Sequence, residues 1–234
     1  MKKFALVVVG TVALTACGES GSGKVDLSNE DSKAAYALGF RTGEQMQGRM
    51  DGIDLDSFLA GLRQGAGGDG KALMDPEDMD AAIMEFQQRK MEEQESEMAR
   101  ESDENLAVGA QFRANHAEQD GVTVTESGLQ YEVLASGDGA SPSVEDTVIA
   151  HYHGTLIDGT VFDSSVERGE PATFPLARVI QGWQEALPMM KIGDKWRIVL
   201  PPHLAYGEHG AGGVIGPNAT LVFEVELLEI AAEE

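Results

Sequence analysis

The chain has 234 residues, enough for one large domain or two modest ones, and sets 17 Lys plus Arg against 40 Asp plus Glu, a formal net charge of −23. That balance excludes nucleic acid as a partner, because a phosphate backbone needs a basic face, and modestly favours basic polypeptide. Apolar residues, at 42%, suffice for a packed core, and 28 glycines predict several tight turns.

Residues 1–17 read as an address. Lys2 and Lys3 form a positive n-region, and Phe4 to Leu14 an apolar run too short to span a bilayer, the pattern of a cleaved signal. The run ends in Leu14-Thr15-Ala16-Cys17, which resembles a bacterial lipobox, so Cys17 is expected to be acylated and to anchor the chain to a membrane. Cys17 is the only cysteine, which excludes an intramolecular disulfide. Loss of Lys2 and Lys3 with the signal takes the net charge from −23 to −25. Gly18 after the cysteine does not resemble an inner-membrane retention signal, which points to the outer membrane, on its periplasmic or its surface face. Residues 18–27 then form a flexible Gly/Ser-containing tether.

Residues 28–74 are expected to hold two helices. The first starts near Ser28, with Ser28 or Asn29 as N-cap, Glu30 and Asp31 in the first turn, and Ala35, Leu38, Phe40 and Met46 near helical spacing. Gly39 and Gly43 weaken it, yet allow another helix to approach closely. The second runs from about Asp54 to Gln64, with Leu55, Phe58, Leu59 and Leu62 on one face, and stops at Gly65 to Gly70. Asp75-Pro76-Glu77 starts a third helix, with Asp as cap, Pro at the first helical position and an acid in the first turn. This connecting helix is expected over 75–117, a rod of about 60 Å at 1.5 Å per residue. Residues 88–104 are polar nearly all round, as in a helix bridging solvent. Met84, Met91 and Met98 recur every seven residues, but without matching apolar positions between them a solvated rod is favoured over a coiled coil.

After His116 the apolar period changes from 3.6 to 2. Strands are expected at Leu129–Leu134, Thr147–Thr155, Lys195–Leu200 and Ala219–Ile230, with one short helix near Ala177–Leu187. This half is α+β, a mainly antiparallel sheet wrapping one helix, preceded by an all-α region. Conventional catalytic machinery is missing: there is no Gly-x-Ser-x-Gly elbow. His151 and His153 share a strand face, but without a third ligand they imply no metal. Gly207 to Gly216 lacks the Gly-Lys-Ser/Thr of a phosphate loop, and no cofactor is implied. What remains is a dense apolar set, Tyr152, Phe162, Phe174, Val179, Ile180, Trp183, Tyr206, Val214, Ile215 and Phe223, which by composition alone could be simply core.

Three segments decide between core and pocket: Val148 to Ser165 (VIAHYHGTLIDGTVFDSS), Val179-Ile-Gln-Gly-Trp183, and Leu204-Ala-Tyr-Gly207 followed by Val214-Ile215 and Ala219 to Leu228. In order and spacing they resemble the FKBP-type isomerase domain, the macrolide-binding immunophilins, here at 120–232. The resemblance implies a bent antiparallel sheet over a short helix, and cis/trans isomerisation of X–Pro bonds in polypeptide clients, sensitive to macrolide inhibitors. It makes Trp183 the floor under the proline ring and Tyr152, Phe162, Val179, Ile180 and Phe223 the walls. Tyr206 and Asp163 supply polar atoms side by side, Ile215 a backbone donor for the substrate carbonyl, and Val214 lies on a flap. Asp163, Tyr206, Tyr152 and Trp183 are thus the implied catalytic group. Phe174 is counted with the substrate-binding residues, although its family counterpart packs in the core. Ala172 departs from the family, which often has an aromatic there, and predicts a wider or shallower pocket. The helical half, with Asn105 to Phe112 and Gly128 to Tyr131, resembles the Mip and FkpA-type bacterial isomerases, which implies a V-shaped homodimer. Two short helices and an exposed rod bury little alone, which also calls for a partner chain. A non-catalytic chaperone or surface-binding protein using the same pocket is the alternative.

Overall fold

A computed structural model describes residues 25–48, 50–67 and 72–231 in two compact units, Met1–Asp75 and Pro76–Glu234. The signal, Cys17 and the tether up to Lys24 lie outside the described residues.

In the first unit, α1 spans Glu30–Gln45 and α2 spans Leu55–Ala66. Asn29, not Ser28, caps α1: its side chain accepts the Ser32 N–H at 2.8 Å, as Asp54 accepts that of Ser57 at 2.8 Å on α2. Neither helix contains a buried residue. Tyr36 stacks on Phe40 with ring centroids 6.2 Å apart, and Leu38, Phe40, Leu55 and Leu62 are exposed. Gly39 and Gly43 face open space, so their flank of α1 has room for another helix.

The second unit begins with α3, Pro76–Ala117. Its polar stretch carries the ion pairs Lys90–Glu93 at 2.8 Å and Arg100–Glu97 at 2.6 Å, both at the surface, where water and salt screen them. Only Gly109 and His116 of α3 are buried, where its C-terminal turns meet the sheet. There His116 Nδ1 donates to Gln130 Oε1 at 2.8 Å, and Gln130 Nε2 donates to the Arg113 carbonyl at 2.9 Å.

Seven strands follow: β1 Val122–Val124, β2 Gln130–Ala135, β3 Thr147–Leu156, β4 Val161–Ser164, β5 Ala172–Pro175, β6 Lys195–Leu200 and β7 Leu221–Ile230. They pair antiparallel in the order β1-β2-β6-β7-β3-β4, with β5 also on β3. The alternation read from sequence sets the faces: Leu221, Phe223, Val225 and Leu227 point from β7 into the core, with Ile198 and Leu200 of β6 and Val148 and Ala150 of β3. The short α4, Ser165–Arg168, is capped by Ser164 and ends at left-handed Gly169.

The single helix expected over Ala177–Leu187 is broken. A 3-10 turn covers Leu176–Arg178, the chain then extends through Val179 and Ile180, and α5 covers Gln181–Ala186. Gln184 Nε2 donates to the Val179 carbonyl at 2.7 Å, holding the extended pair against the helix that follows. The break turns two β-branched side chains toward a cavity.

Candidate active site

Between the sheet and α5 lies a cavity of about 320 Å³. Its residues come from seven elements and connections along the chain, which is why no local sequence window contains it. β3 contributes Tyr152, β4 contributes Phe162 and Asp163, and β5 contributes Phe174. Arg178, Val179 and Ile180 come from the break before α5, Trp183 from its first turn, Tyr206 from the loop after β6, and Phe223 from β7.

Trp183 is 5% exposed and caged by three rings. Its centroid lies 5.3 Å from Tyr152 and 5.2 Å from Phe223, both edge-on, and 5.1 Å from the tilted Phe174. Such edge contacts add about 0.5–1.5 kcal/mol each beyond the area they bury, so the indole is rigidly placed. Phe162 meets Phe223 edge-on at 5.4 Å. Gly154 permits that pair: a Cβ there would come within 2.7 Å of the Phe162 ring and 2.9 Å of Phe223.

The polar side of the cavity is a closed triad. Tyr152 O–H donates to Asp163 Oδ2 at 2.5 Å, Arg168 donates to Tyr152 Oη at 2.9 Å, and Arg168 also pairs with the Asp163 carboxylate. The Arg168 guanidinium lies over the Tyr152 ring, 5.6 Å from its centroid. Burial pushes the Asp163 carboxyl up, but the hydrogen bonds from Tyr152 and Arg168, with the Arg168 charge, outweigh it and hold the group below the ordinary carboxylate range. Burial, reinforced by the bond to Asp163, pushes the Tyr152 phenol above its usual value. At neutral pH Asp163 is therefore a fully paired carboxylate and Tyr152 a neutral phenol, and neither is poised to exchange a proton with a substrate.

Several expectations change here. Asp163 and Tyr206 both line the cavity, but Asp163 pairs with Tyr152 and Arg168, and the Tyr206 hydroxyl has no hydrogen-bond partner among the described residues. Arg168 and Arg178 were not foreseen; the Ser164 cap and Gly169 stop were the available signals that the chain folds back to bring Arg168 under Asp163. Val214 and Ile215 do not line the cavity. The Ile215 N–H is already used, donating to the Ala211 carbonyl at 3.0 Å across a two-residue bridge, so it is no donor for a substrate. The N–H of Ile180, on the cavity wall, has no acceptor among the described residues. Ala172 is not on the lining either. Phe174, two residues along the same face of β5, supplies an aromatic wall. His151 and His153 are held by hydroxyls, Nδ1 to Ser165 Oγ at 3.1 Å and to Ser164 Oγ at 3.0 Å.

The site is an aromatic-lined cavity whose one carboxylate is already paired. The model of FKBP-type peptidyl-prolyl cis-trans isomerase matches residues 139–228, and that of the domain amino terminal to FKBP-type peptidyl-prolyl isomerase matches 31–133. The outer membrane protein MIP of Legionella longbeachae is 36% identical over 230 residues, covering 98% of this chain and 97% of its own length. The FKBP-type 22 kDa peptidyl-prolyl cis-trans isomerase of Escherichia coli K12 is 43% identical over 202 residues, 86% of this chain and 95% of its own. The crystal structure of FkpA from Escherichia coli superposes with a TM-score of 0.69 at 38% identity, covering 87% of this chain and 97% of that one. The chain belongs to the FKBP-type peptidyl-prolyl cis/trans isomerases, in the group that contains Mip and FkpA.

Proposed function

We propose that this isomerase twists X–Pro bonds of exported polypeptides on the Trp183 floor, and that it works as a lipid-anchored homodimer that also holds folding clients. Rotation about the peptide C–N bond costs about 18–20 kcal/mol because resonance is broken. For X–Pro, exchange in water takes tens to hundreds of seconds. In the twisted state the carbonyl oxygen has lost resonance charge, so a dry apolar site suits it better than water does, and every 1.4 kcal/mol of preference is a ten-fold rate gain. The observation that carries this reading is the caged indole beside a carboxylate already paired by Tyr152 and Arg168. In this reading the proline ring rests on Trp183 between Phe162, Val179 and Phe223. The Ile180 N–H receives a substrate carbonyl, and Tyr206 offers its unpartnered hydroxyl at the rim. Asp163 orients Tyr152 and sets the field of the cavity without moving a proton.

The test uses the full chain with a proline-containing peptide and a slow-folding protein. Asp163→Ala and Tyr206→Phe each lower kcat/KM about three- to thirty-fold on the peptide, the range lost with one or two hydrogen bonds. A macrolide inhibitor abolishes the wild-type activity. Unchanged turnover in both variants contradicts the site. Retention of client holding by variants that no longer turn over supports a chaperone role resting on other surfaces.

The dimer reading is supported by the bare faces of α1 and α2, where Tyr36, Leu38, Phe40, Phe58 and Leu62 stay accessible although nothing polar needs them there. It is supported also by the match of the amino-terminal family model over 31–133. Acylation of Cys17 and an outer-membrane location rest on the lipobox resemblance and on the name of the Legionella relative. Labelled palmitate entering the wild type and not Cys17→Ser checks the anchor.

A further inference from the structure

The Tyr206 side chain makes no hydrogen bond among the described residues. It is 40% exposed, at the cavity rim. It stands at the start of a loop running from Tyr206 to Asn218. That loop is closed by one hydrogen bond, from the Asn218 N–H to the Gly207 carbonyl at 2.7 Å. Asn218 adopts φ 53, in the left-handed region that asparagine enters more readily than other side-chained residues.

What holds Asn218 is the long helix. Asn218 Nδ2 donates to Ser102 Oγ at 2.8 Å, and Asn105 Nδ2 donates to the Pro217 carbonyl at 2.9 Å. Arg113 donates to Thr220 Oγ1, and Gly109 lies so close to Thr220 that a Cβ would collide with it. Ser102, Asn105, Gly109 and Arg113 recur at three- and four-residue spacing, one face of α3. Three polar side chains and a glycine in one row, all directed at residues 217–220, go beyond what attaching the helix requires. A plain apolar seam would attach it as well.

We infer that this face of α3 is a positioning device for the isomerase site: Ser102 and Asn105 fix Asn218 and Pro217, Asn218 closes the loop on Gly207, and the closed loop holds Tyr206 at the rim. The inference rests on the reading of Tyr206 as a site residue. Ser102 and Asn105 do not line the cavity, so they act only through the loop.

A double-mutant cycle on the full chain tests it, with kcat/KM measured on a short proline peptide and Tm measured alongside. Ser102→Ala lowers kcat/KM about two- to ten-fold, the span open to loss of one hydrogen bond, and Asn105→Ala does likewise. In the Tyr206→Phe background the same substitutions change nothing further, because the hydroxyl they position is gone. Ser102→Thr, which keeps the hydroxyl, restores the rate. Equal losses in both backgrounds, or no loss in the wild-type background, overturn the inference, whatever happens to Tm. If Tyr206→Phe alone has no effect, the site reading fails instead, so the two failures are distinguishable.

Discussion

At the scale of single residues, the cavity shows how much chemistry a carboxylate can be denied by its neighbours. Asp163 lies at the site of an enzyme, yet its hydrogen bonds to Tyr152 and Arg168 use it as a strut. Its folded pKa is depressed, so its contribution to stability is fully present above the unfolded value of about 4 and is lost as pH falls through the lower folded value. Tyr152 has the opposite sign: its contribution is present below about pH 10 and is lost as pH rises through its raised folded value. Thermal unfolding of wild type and Asp163→Asn should therefore differ most between about pH 5 and pH 9, with the gap closing below about pH 4. A gap independent of pH in the acid range would show that the triad is not what the substitution removes. This scale is also where sequence reasoning was least able to see. Which amide remains unused depends on the bridge between Ala211 and Ile215, made by glycine-rich turns with no local signal, so that Ile180, expected only as a wall, has the N–H without an acceptor among the described residues. Phe174, counted among the substrate-binding residues from the sequence, lies on the lining 5.1 Å from Trp183.

Among the secondary-structure elements, those with chemistry in their own residues were legible. The start of α3 at Pro76 follows from Asp75-Pro76-Glu77, and β6 falls at Lys195–Leu200 as its alternation predicts. The break between Leu176 and Gln181 was not legible, because Val179 and Ile180 fit a helical stripe as well as an extended wall; their partner across the cavity decides. Gly109 shows the same dependence on distant partners. In the sequence it is only a weak point late in a helix, whereas in the structure it is the place where α3 touches Thr220. Gly109→Ala gains about 1 kcal/mol of helix propensity but forces a Cβ into Thr220, which costs about 1–3 kcal/mol, so the net expectation is a lower Tm. A higher Tm would mean that α3 and the sheet adjust freely, and would weaken the case for a positioning contact there.

At the scale of the whole molecule, the two units carry opposite economies of burial. The sheet unit encloses its core, with Leu129, Leu176, Leu187, Leu200 and Leu227 wholly buried, while α1 and α2 bury nothing among the described residues. Isolated helices of 16 and 12 residues are marginal in water, so the proposed second copy is the physical condition for the first unit to persist. Sedimentation of the full chain at micromolar concentration should give twice the monomer mass, and Leu62→Glu on the bare face of α2 should shift it to monomer while peptide turnover stays unchanged. A wild-type monomer contradicts the proposed assembly without touching the site.

In the proposed mechanism the cavity isomerises proline bonds by shape and dielectric, with no titrating acid or base. The pH dependence of kcat/KM on a proline peptide tests it most directly. A profile flat from about pH 5 to pH 9 is expected, since Asp163 stays ionised and Tyr152 stays protonated across that range. A bell-shaped profile with a limb near neutrality would contradict it.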